Sequence, residues 1–250
     1  MSERKPRFDL VGLRFDEPIT IASIRQNSDG SLTFLDAAGL PLDMGSSVGG
    51  LAYARAKGPK ITVQVPEAGD RSAGPLAALS RFDSIVGVDT NSHWVGPERV
   101  CITVVCRLDA PDLAANPWTA RVEPLWGLEF RDPTADAERV GWRHALATGP
   151  TFGLFRHDRA TLMTVDAHLG QLADINERRR PIVDDYYLPQ HVSLAYASSD
   201  KPQDSPLNGL MARCDKLASA ILQQSIARGP AGLLQSPGTP FRAHRYWRFS

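Results

Sequence analysis

Cysteine is scarce in this sequence, and its spacing argues against a thiolate metal site. Only Cys101, Cys106 and Cys214 occur among the 250 residues, and neither they nor the six histidines show the spacing of zinc ligands. Cys101 and Cys106 lie an odd number of residues apart on one predicted strand, so their side chains face opposite sides. We therefore expect buried free thiols in a reducing cytoplasm.

Long hydrophobic runs are also absent. The longest apolar-rich stretch, Val100–Cys106, is far too short to cross a bilayer. Residues 1–6 are charged and lead into no apolar segment, so no signal peptide is expected. With 42% hydrophobic and 22% charged residues, the chain has the composition of an ordinary globular protein. We expect a cytoplasmic protein without a membrane partner.

The chain has no net charge, but its charged residues are unevenly distributed. The 28 basic and 28 acidic residues cancel, whereas residues 79–200 hold 12 basic and 17 acidic side chains, and residues 201–250 hold seven and two. An acidic middle beside a basic end suits a metal-dependent enzyme that acts on a polyanion. A basic tail that docks on its own acidic domain gives the same distribution, so both interpretations stay open.

Residues 1–78 are predicted to form a small β-rich unit. The turn pattern Asn27–Gly30 lies between two short strand patterns and is typical of a hairpin. Strands are expected at residues 19–24, 32–35 and 60–65. The segment Gly45–Gly50 resembles a phosphate loop but lacks the Gly-Lys-Ser/Thr ending, so we interpret it as a flexible turn. The expected domain boundary lies within residues 66–75.

Residues 79–228 show the pattern of an α/β domain. The expected elements are strands at 84–89, 99–107 and 121–130, a helix at 133–147, a strand at 160–166, a short helix at 169–180, a strand at 191–197 and a long helix at 206–227. The last helix has clear end signals, because Ser205 can cap it and Pro206 suits its first position. Residues 229–250 form a Pro/Gly-rich tail that ends in basic and aromatic residues.

Three of the predicted buried strands lead into an aspartate. These residues are Asp89, Asp166 and, a few positions after its strand, Asp200. Strands of an α/β sheet can gather such side chains at their carboxyl ends, where ligand and metal sites usually form. The pattern predicts a divalent-metal site, since magnesium prefers oxygen ligands. Each aspartate also has a simpler interpretation, as a cap of the following turn or helix or as a solvated turn residue.

Two helical carboxylates are further candidates. Glu138 shares a helix face with Trp142, and a carboxylate on such a buried face needs a partner. Its alternative role is a first-turn glutamate favoured by the helix dipole. Asp215 lies on the edge of the last helix's apolar stripe and ranks equally with Asp200 as the late acidic residue. Glu129, on the third strand of the domain, is a reserve candidate.

The element order and the acidic positions together resemble the ribonuclease H-like superfamily, which includes resolvases, integrases and Argonaute nuclease domains. The resemblance covers roughly residues 80–228 and implies a mixed sheet flanked by helices. In that superfamily a first-strand Asp, a Glu on the first helix, an Asp after the fourth strand and a late acidic residue hold two magnesium ions. Those catalytic and metal-binding roles would fall to Asp89, Glu138, Asp166 and either Asp200 or Asp215, with Mg or Mn as the cofactor.

Basic and aromatic residues provide candidates for nucleic-acid contact. Arg178, Arg179 and Arg180 end a predicted helix, where they either complement the helix dipole or grip phosphates. Arg245 and Trp247, in the tail, resemble part of a strip that stacks on and neutralises a single strand. A tail whose aromatic residues cover a neighbouring protein surface is the alternative.

Two functions from different classes therefore stay open. The first is a metal-dependent nuclease that cleaves phosphodiester bonds of DNA or RNA. The second is a non-catalytic binding or assembly protein with the same fold, which would act on a protein partner or a second copy of itself. The neutral overall charge keeps the second open, because nucleic-acid binders are often basic. A sugar-kinase or actin-like fold is disfavoured, since no glycine follows Asp89 in Thr90-Asn91.

Overall fold

The computed structural model describes residues 9–10, 13–14, 20–26, 32–35, 78–95, 98–108, 120–131, 136–148, 159–166, 169–202, 204–227 and 243–249. The strands are β1 (Asp9–Leu10), β2 (Leu13–Arg14), β3 (Thr20–Gln26), β4 (Leu32–Leu35), β5 (Ser84–Val95), β6 (Glu98–Leu108), β7 (Val122–Arg131), β8 (Thr161–Val165), β9 (Val192–Tyr196) and β10 (Ala243–Phe249). The helices are α1 (Ala137–Thr148), α2 (Leu169–Asn176) and α3 (Pro206–Ala227). The strand expected at 60–65 and the segment Gly45–Gly50 lie outside the described residues.

The described strands form one mixed sheet and a separate β1–β2 pair. The sheet has eight strands in the order β4-β3-β10-β7-β6-β5-β8-β9. Strands β5, β6 and β7 are antiparallel neighbours, whereas β8 and β9 run parallel to β5. The prediction of an α/β fold with a mixed sheet and helices is confirmed at this level.

Alternating side chains on β5 build a hydrophobic core on each face of the sheet. Val86 and Val88 pack in one core with Trp142 of α1, while Ile85 packs in the other with Leu210 of α3. The period of two follows from the strand geometry. Each large apolar side chain that is fully buried stabilises the fold by about 1.5–3 kcal/mol. Helices α1 and α3 are therefore held on opposite faces of the same strand.

Strand β5 is longer than the sequence predicts. It was expected to end at Asp89, but it continues to Val95 and pairs with β6 along its whole length, up to the pair Val95–Glu98. The prediction was wrong because the polar run after Asp89 looks like a turn. In an antiparallel pair, polar side chains can face water while the backbone stays fully hydrogen-bonded.

The parallel strands end level with the middle of β5. Val88 pairs with Val165 of β8, and Val165 pairs with Tyr196 of β9. Beyond this line, β5 continues without β8 beside it. This boundary is called the rim here: the carboxyl ends of β8 and β9 together with the part of β5 from Asp89 onward.

Local sequence signals predicted the ends of one helix correctly and those of another incorrectly. Helix α3 has the predicted bounds, and the Ser205 hydroxyl accepts a hydrogen bond from the N–H of Asn208 at 3.1 Å, as expected of a cap. Helix α2 ends at Asn176, earlier than predicted. Arg178 just beyond it has a φ of 58°, in the left-handed region, so the helix cannot continue through it.

The two ends of the chain contribute strands to the same sheet. Strand β10 lies between β7, to which it is antiparallel, and β3, to which it is parallel. The predicted tail at 229–250 thus contains a strand, and the predicted unit at 1–78 supplies β3 and β4 to the sheet of the predicted domain at 79–228.

Two further expectations concern cysteine and membranes. Cys101, Cys106 and Cys214 are all buried thiols that form no disulfide, as the sequence predicts. Among the helices of the described residues, none is long and apolar enough to span a membrane.

Candidate acidic site at the rim of the sheet

Asp89 is a buried carboxylate at the point where β5 loses its parallel neighbour. Its side chain is 8% exposed, and by alternation it lies on the α3 face of the sheet, as Gly87 does. Within the described residues, its Oδ2 atom has no hydrogen-bond partner. A buried carboxylate oxygen without a donor is costly unless a ligand satisfies it. Asp89 is therefore a candidate ligand for a cation.

The surroundings of Asp89 oppose its negative charge. Burial is the largest cause and, together with the nearby carboxylates of Asp215 and Asp166, raises the pKa of Asp89 from 3.8 to about 7. The backbone N–H of Thr90 lowers this pKa, but by less. Such a shift is typical of acids grouped at functional sites. A divalent cation would reverse it by stabilising the ionised form.

Asp166 lies beside Asp89, directly after the end of the neighbouring strand β8. It directly follows Val165, whose partner Val88 directly precedes Asp89. In-register residues of adjacent strands are about 5 Å apart and point to the same face. Asp166 itself is exposed to solvent. The rim thus contains a buried acid next to an exposed one.

Glu138 reaches the rim from the opposite face of the sheet. It lies in the first turn of α1, where the indole Nε1–H of Trp142 donates a 2.9 Å hydrogen bond to its Oε1. The N–H of Thr90 also donates to the Glu138 carboxylate. Burial, followed by the charge of Asp89, holds the pKa of Glu138 well above its usual range. Trp142 is the partner that a carboxylate on this helix face requires.

Close packing of α1 on the sheet brings Glu138 there. A Cβ atom at Gly141 would lie 2.1 Å from Thr90 Oγ1 and 2.3 Å from Thr103 Oγ1. The two threonine hydroxyls are hydrogen-bonded to each other at 2.6 Å. The absence of a side chain at Gly141 therefore lets the first turn of α1 approach β5.

Asp215 is oriented by an asparagine on β5. The Asn91 Nδ2 group donates to Asp215 Oδ1 at 2.9 Å and to Ser219 Oγ at 2.9 Å. Helix α3 comes close at this point because Gly87 has no side chain, and an added Cβ would lie 2.7 Å from Leu210 Cγ. Asn91 thus holds one Asp215 oxygen while the Asp215 charge acts on Asp89.

The four acids have the chemistry of a hard-cation site, but they do not form a ready-made one. Within the described residues, no group of three or more His, Cys, Asp or Glu side chains is assembled into a metal site. Carboxylates that raise one another's pKa repel when ionised. An all-oxygen donor set with one unpartnered buried oxygen fits magnesium or manganese better than a softer metal.

Two other predicted acids lie apart from this group. Asp200 is exposed in a turn, where its N–H donates to Ser198 Oγ at 3.2 Å. Neither Asp89 nor Glu138 has a pKa raised by Asp200. Glu129 is buried on β7 and accepts a 2.8 Å hydrogen bond from the Ser225 hydroxyl. The rim acids are thus Asp89, Glu138, Asp166 and Asp215.

The predicted arginine cluster lies in the connection between α2 and β9. Arg178 donates to three backbone carbonyls, those of Asn176, Leu188 and Pro189. Arg179 is exposed and forms ion pairs with Asp174 at 2.7 Å and Glu177 at 2.5 Å, while Arg180 is exposed. This connection leads into the amino end of β9, whereas the acids lie at the carboxyl ends. Arg178 therefore stabilises this connection through hydrogen bonds to its backbone, a role that the sequence did not predict.

The predicted tail residues belong to β10. Trp247 is 0% exposed and packs in the core beneath α3. Its burial contradicts the prediction that it stacks on a nucleic-acid base, because an indole within the core has no free face. Arg245 is paired in register with Thr20 and Glu129 on the two neighbouring strands.

Sequence reasoning missed the residues that position the acids. These are Gly87, Thr90, Asn91, Thr103 and Gly141. A glycine inside a strand or helix pattern is a signal for close approach of another element, so Gly87 and Gly141 could have been recognised. Nothing in the sequence distinguishes Asn91 from an ordinary polar strand residue.

Comparison of the chain with known protein families, with curated proteins and with solved structures found no match. The function is therefore inferred from the geometry of the rim.

Proposed function

We propose that this protein is a divalent-metal-dependent nuclease with a ribonuclease H-like fold, which cleaves phosphodiester bonds of DNA or RNA. One observation carries the proposal. Asp89 is buried at the rim with an unpartnered Oδ2 atom, and burial, followed by the charges of Asp215 and Asp166, raises its pKa. A capping aspartate would have its oxygens satisfied by backbone N–H groups, whereas a metal ligand needs an oxygen kept free.

The order of elements supports the proposed fold. Strands β5, β6 and β7 are followed by α1, and then by β8, α2, β9 and α3. This is the order that the resemblance to the ribonuclease H-like superfamily implies. The acids lie on the corresponding elements: Asp89 on the first strand, Glu138 on the first helix, Asp166 after the fourth strand and Asp215 on the last helix.

Asp215 is a better candidate than Asp200 for the late acidic residue. The charge of Asp215 raises the pKa of Asp89, which requires the two carboxylates to be near each other. Asp200 is in an exposed turn. Asp89, Glu138, Asp166 and Asp215 would then hold Mg²⁺ or Mn²⁺, which supplies an activated water and stabilises the leaving oxygen in phosphodiester cleavage.

The surrounding residues would orient the carboxylates for metal binding. The Trp142 indole and the Thr90 N–H fix the orientation of the Glu138 carboxylate. Asn91 fixes one oxygen of Asp215. Because Asp166 is exposed beside the buried Asp89, a phosphate would approach the rim from the side of Asp166.

Protons compete with the metal at this site. The pKa of Asp89 is about 7 without a cation, so a metal must displace a proton near neutral pH. Metal affinity and cleavage should therefore rise between pH 6 and pH 8. This dependence comes from the buried acids, in addition to any pH dependence of the attacking water.

One observation favours the alternative of a non-catalytic binding or assembly protein. Within the described residues, the acids are not gathered into a finished metal site. In that alternative, Asp89 and Glu138 would share a proton and serve only the packing of α1 and α3. The two functions differ in whether a metal and Asp89 are needed for cleavage.

The test is a cleavage assay on labelled DNA and RNA, single-stranded and duplex, with Mg²⁺, Mn²⁺ or EDTA. Asp89→Asn preserves size and removes the charge, so it should abolish cleavage while the protein stays folded by thermal unfolding. Asp200→Asn is the matched control and should cleave at the wild-type rate. Cleavage that persists in EDTA or in Asp89→Asn would refute the nuclease mechanism, and a wild type that cleaves none of the substrates would favour the alternative.

A further inference from the structure

Two buried thiols meet where α3 crosses the sheet. Cys106 lies on β6 and Cys214 on α3, and both are 0% exposed in the hydrophobic core on the α3 face. A side-chain hydrogen bond joins the two thiol groups. The third cysteine, Cys101, is also 0% exposed but lies in another core cluster, with Phe130 and Val140. Cys106 and Cys214 are therefore a thiol pair, and Cys101 is an equally buried reference.

The close approach of α3 at Gly87 produces this contact. Gly87 pairs in register with Cys106, so the two residues face the same side of the sheet. A Cβ atom at position 87 would lie 3.1 Å from Cys214 Sγ and 2.7 Å from Leu210 Cγ. A side chain there would push α3 away from the sheet. Its absence lets the Cys214 sulfur lie over the β5–β6 pair, within reach of the Cys106 sulfur.

Cys101 cannot join this pair. It lies an odd number of residues from Cys106 on β6, so its side chain faces the opposite side of the sheet. The membership of the two cysteines in different core clusters agrees with this alternation. A disulfide requires two Cβ atoms about 4 Å apart, and the sheet itself separates Cys101 from Cys214.

We infer that Cys106 and Cys214 form a reversible disulfide when the protein is exposed to hydrogen peroxide, and that this bond ties α3 to β6 near the rim. One thiolate attacks the peroxide, which gives a sulfenic acid and releases hydroxide. The second thiol then attacks the oxidised sulfur, so that the S–S bond forms and water leaves. The two sulfur atoms lose two electrons to the peroxide, and a dithiol reductant returns them. This modification site does not depend on the proposed nuclease activity.

Burial makes the pair slow to oxidise and slow to reduce. Thiols enclosed by apolar side chains are mostly protonated and shielded from reagents. The reaction therefore proceeds during local opening of α3 from the sheet, and we expect it to take hours rather than seconds. A disulfide closed in the same core is shielded in the same way, so it should persist until α3 opens in the presence of a reductant.

The bond would act on the helix that carries one of the rim acids. Cys214 directly precedes Asp215, whose carboxylate accepts a hydrogen bond from Asn91. A disulfide to Cys106 would fix this turn of α3 on the sheet. Because the two cysteines are far apart in the sequence, their cross-link closes a long loop and should stabilise the fold strongly. We therefore expect the oxidised protein to unfold several degrees higher than the reduced protein.

Peptide mapping of the full chain tests the inference. The metal-free protein is incubated with hydrogen peroxide for several hours, quenched with catalase, alkylated and digested with trypsin without reduction. Residues 100–107 form one tryptic peptide that contains both Cys101 and Cys106, so fragmentation of the linked peptide assigns the bond. The expected product joins Cys106 to Cys214 and leaves Cys101 alkylated. Dithiothreitol should reverse both the link and the rise in Tm, whereas it would not reverse methionine oxidation.

Matched variants assign the role of each thiol. Cys101→Ala should form the bond as the wild type does. Cys106→Ala should form no bond, show no rise in Tm on oxidation, and leave a sulfenic acid on Cys214 that dimedone traps. Because the mapping uses the wild type, the test holds even if a variant fails to fold.

The inference is overturned if Cys106 and Cys214 are recovered unlinked after oxidation, whether as reduced thiols or as sulfonic acids. It is also overturned if Cys101 links to Cys214 as readily as Cys106 does, or if the linked protein unfolds no higher than the reduced protein. None of these readouts uses a metal or a nucleic acid. Failure of the disulfide therefore leaves the proposed function standing, and a protein that cleaves nothing could still form the disulfide.

Discussion

Gly141 of α1 lies so close to Thr90 of β5 that a methyl group at position 141 would be 2.1 Å from the threonine Oγ1 atom. This contact fixes how closely the first turn of α1 approaches the sheet. Glu138 lies in that turn and accepts a hydrogen bond from the Thr90 N–H. The position of one acid thus depends on a missing side chain one turn along the helix.

Gly141→Ala tests this dependence. Alanine normally stabilises a helix interior by about 1 kcal/mol relative to glycine, but here the clash should win and cost about 1–3 kcal/mol. The displaced helix should also weaken metal-dependent cleavage. Gly209→Ala on α3 is the control, because its Cβ would meet only the Pro202 carbonyl oxygen at 3.4 Å. Equal stability and activity in both variants would contradict the role of Gly141.

Asp89→Asn should stabilise the metal-free protein at alkaline pH. Folding raises the pKa of Asp89 from 3.8 to about 7, so between these values the folded state binds a proton that the unfolded state does not. The free energy of unfolding therefore falls as pH rises through this range. The uncharged variant does not suffer this loss, which is on the order of 4 kcal/mol at pH 8.

Thermal unfolding in EDTA at pH 8 and at pH 4 measures this difference. Asp89→Asn should unfold several degrees higher than the wild type at pH 8, and the difference should shrink at pH 4, where the wild-type carboxyl is protonated when folded. A capping aspartate would behave in the opposite way. Lower stability of Asp89→Asn at pH 8 would show that the carboxylate is a structural anion.

Asn91→Ala should impair the site more than the fold. The substitution removes hydrogen bonds to Asp215 and Ser219, which should cost about 1–2 kcal/mol of stability and leave the Asp215 carboxylate free to turn. Asn176→Ala is the control, since it loses two hydrogen bonds, both to the backbone of Leu194, where Asn91→Ala loses three. We expect similar losses in Tm but a loss of metal-dependent cleavage only for Asn91→Ala. A parallel loss in both variants would assign Asn91 a purely structural role.

Arg178→Ala should destabilise the protein without affecting nucleic-acid binding. Its guanidinium donates to three backbone carbonyls of the α2–β9 connection, and the loss of these hydrogen bonds should cost about 1–3 kcal/mol. Arg178→Lys should rescue little, because an ammonium group lacks the planar fork. Arg180→Ala, at an exposed position, should be neutral in thermal unfolding. If Arg178→Ala reduced oligonucleotide affinity at an unchanged Tm, the loop would be a phosphate contact after all.

The sequence predicts site residues at the ends of strands better than site residues whose position depends on how a helix packs on the sheet. Asp89 and Asp166 come directly after residues that are paired in register. Because each follows a buried strand in the sequence, their position at the same end of the sheet could be predicted. The choice between Asp200 and Asp215 could not be made, because it depends on how α3 crosses β5. That crossing is set by the contact of Gly87 with Leu210, which no local pattern encodes.

The wrong predictions have a common cause. Trp247 looks like an exposed tail aromatic, but β10 lies between β7 and β3 and buries it. Strand β5 was expected to end at Asp89, but its pairing with β6 extends it to Val95. Both errors concern strand pairing between distant segments, whereas composition and alternation report only what is local.

Mn²⁺ titration by calorimetry tests most directly whether the rim acids bind a divalent metal. The metal-free wild type at pH 8 should bind Mn²⁺ saturably, with release of protons that diminishes as the buffer pH is raised. Binding should be lost in Asp89→Asn and weakened in Asp215→Asn, and it should be unchanged in Asp200→Asn. Wild-type protein that binds no Mn²⁺, or variants that all bind it equally, would contradict the account.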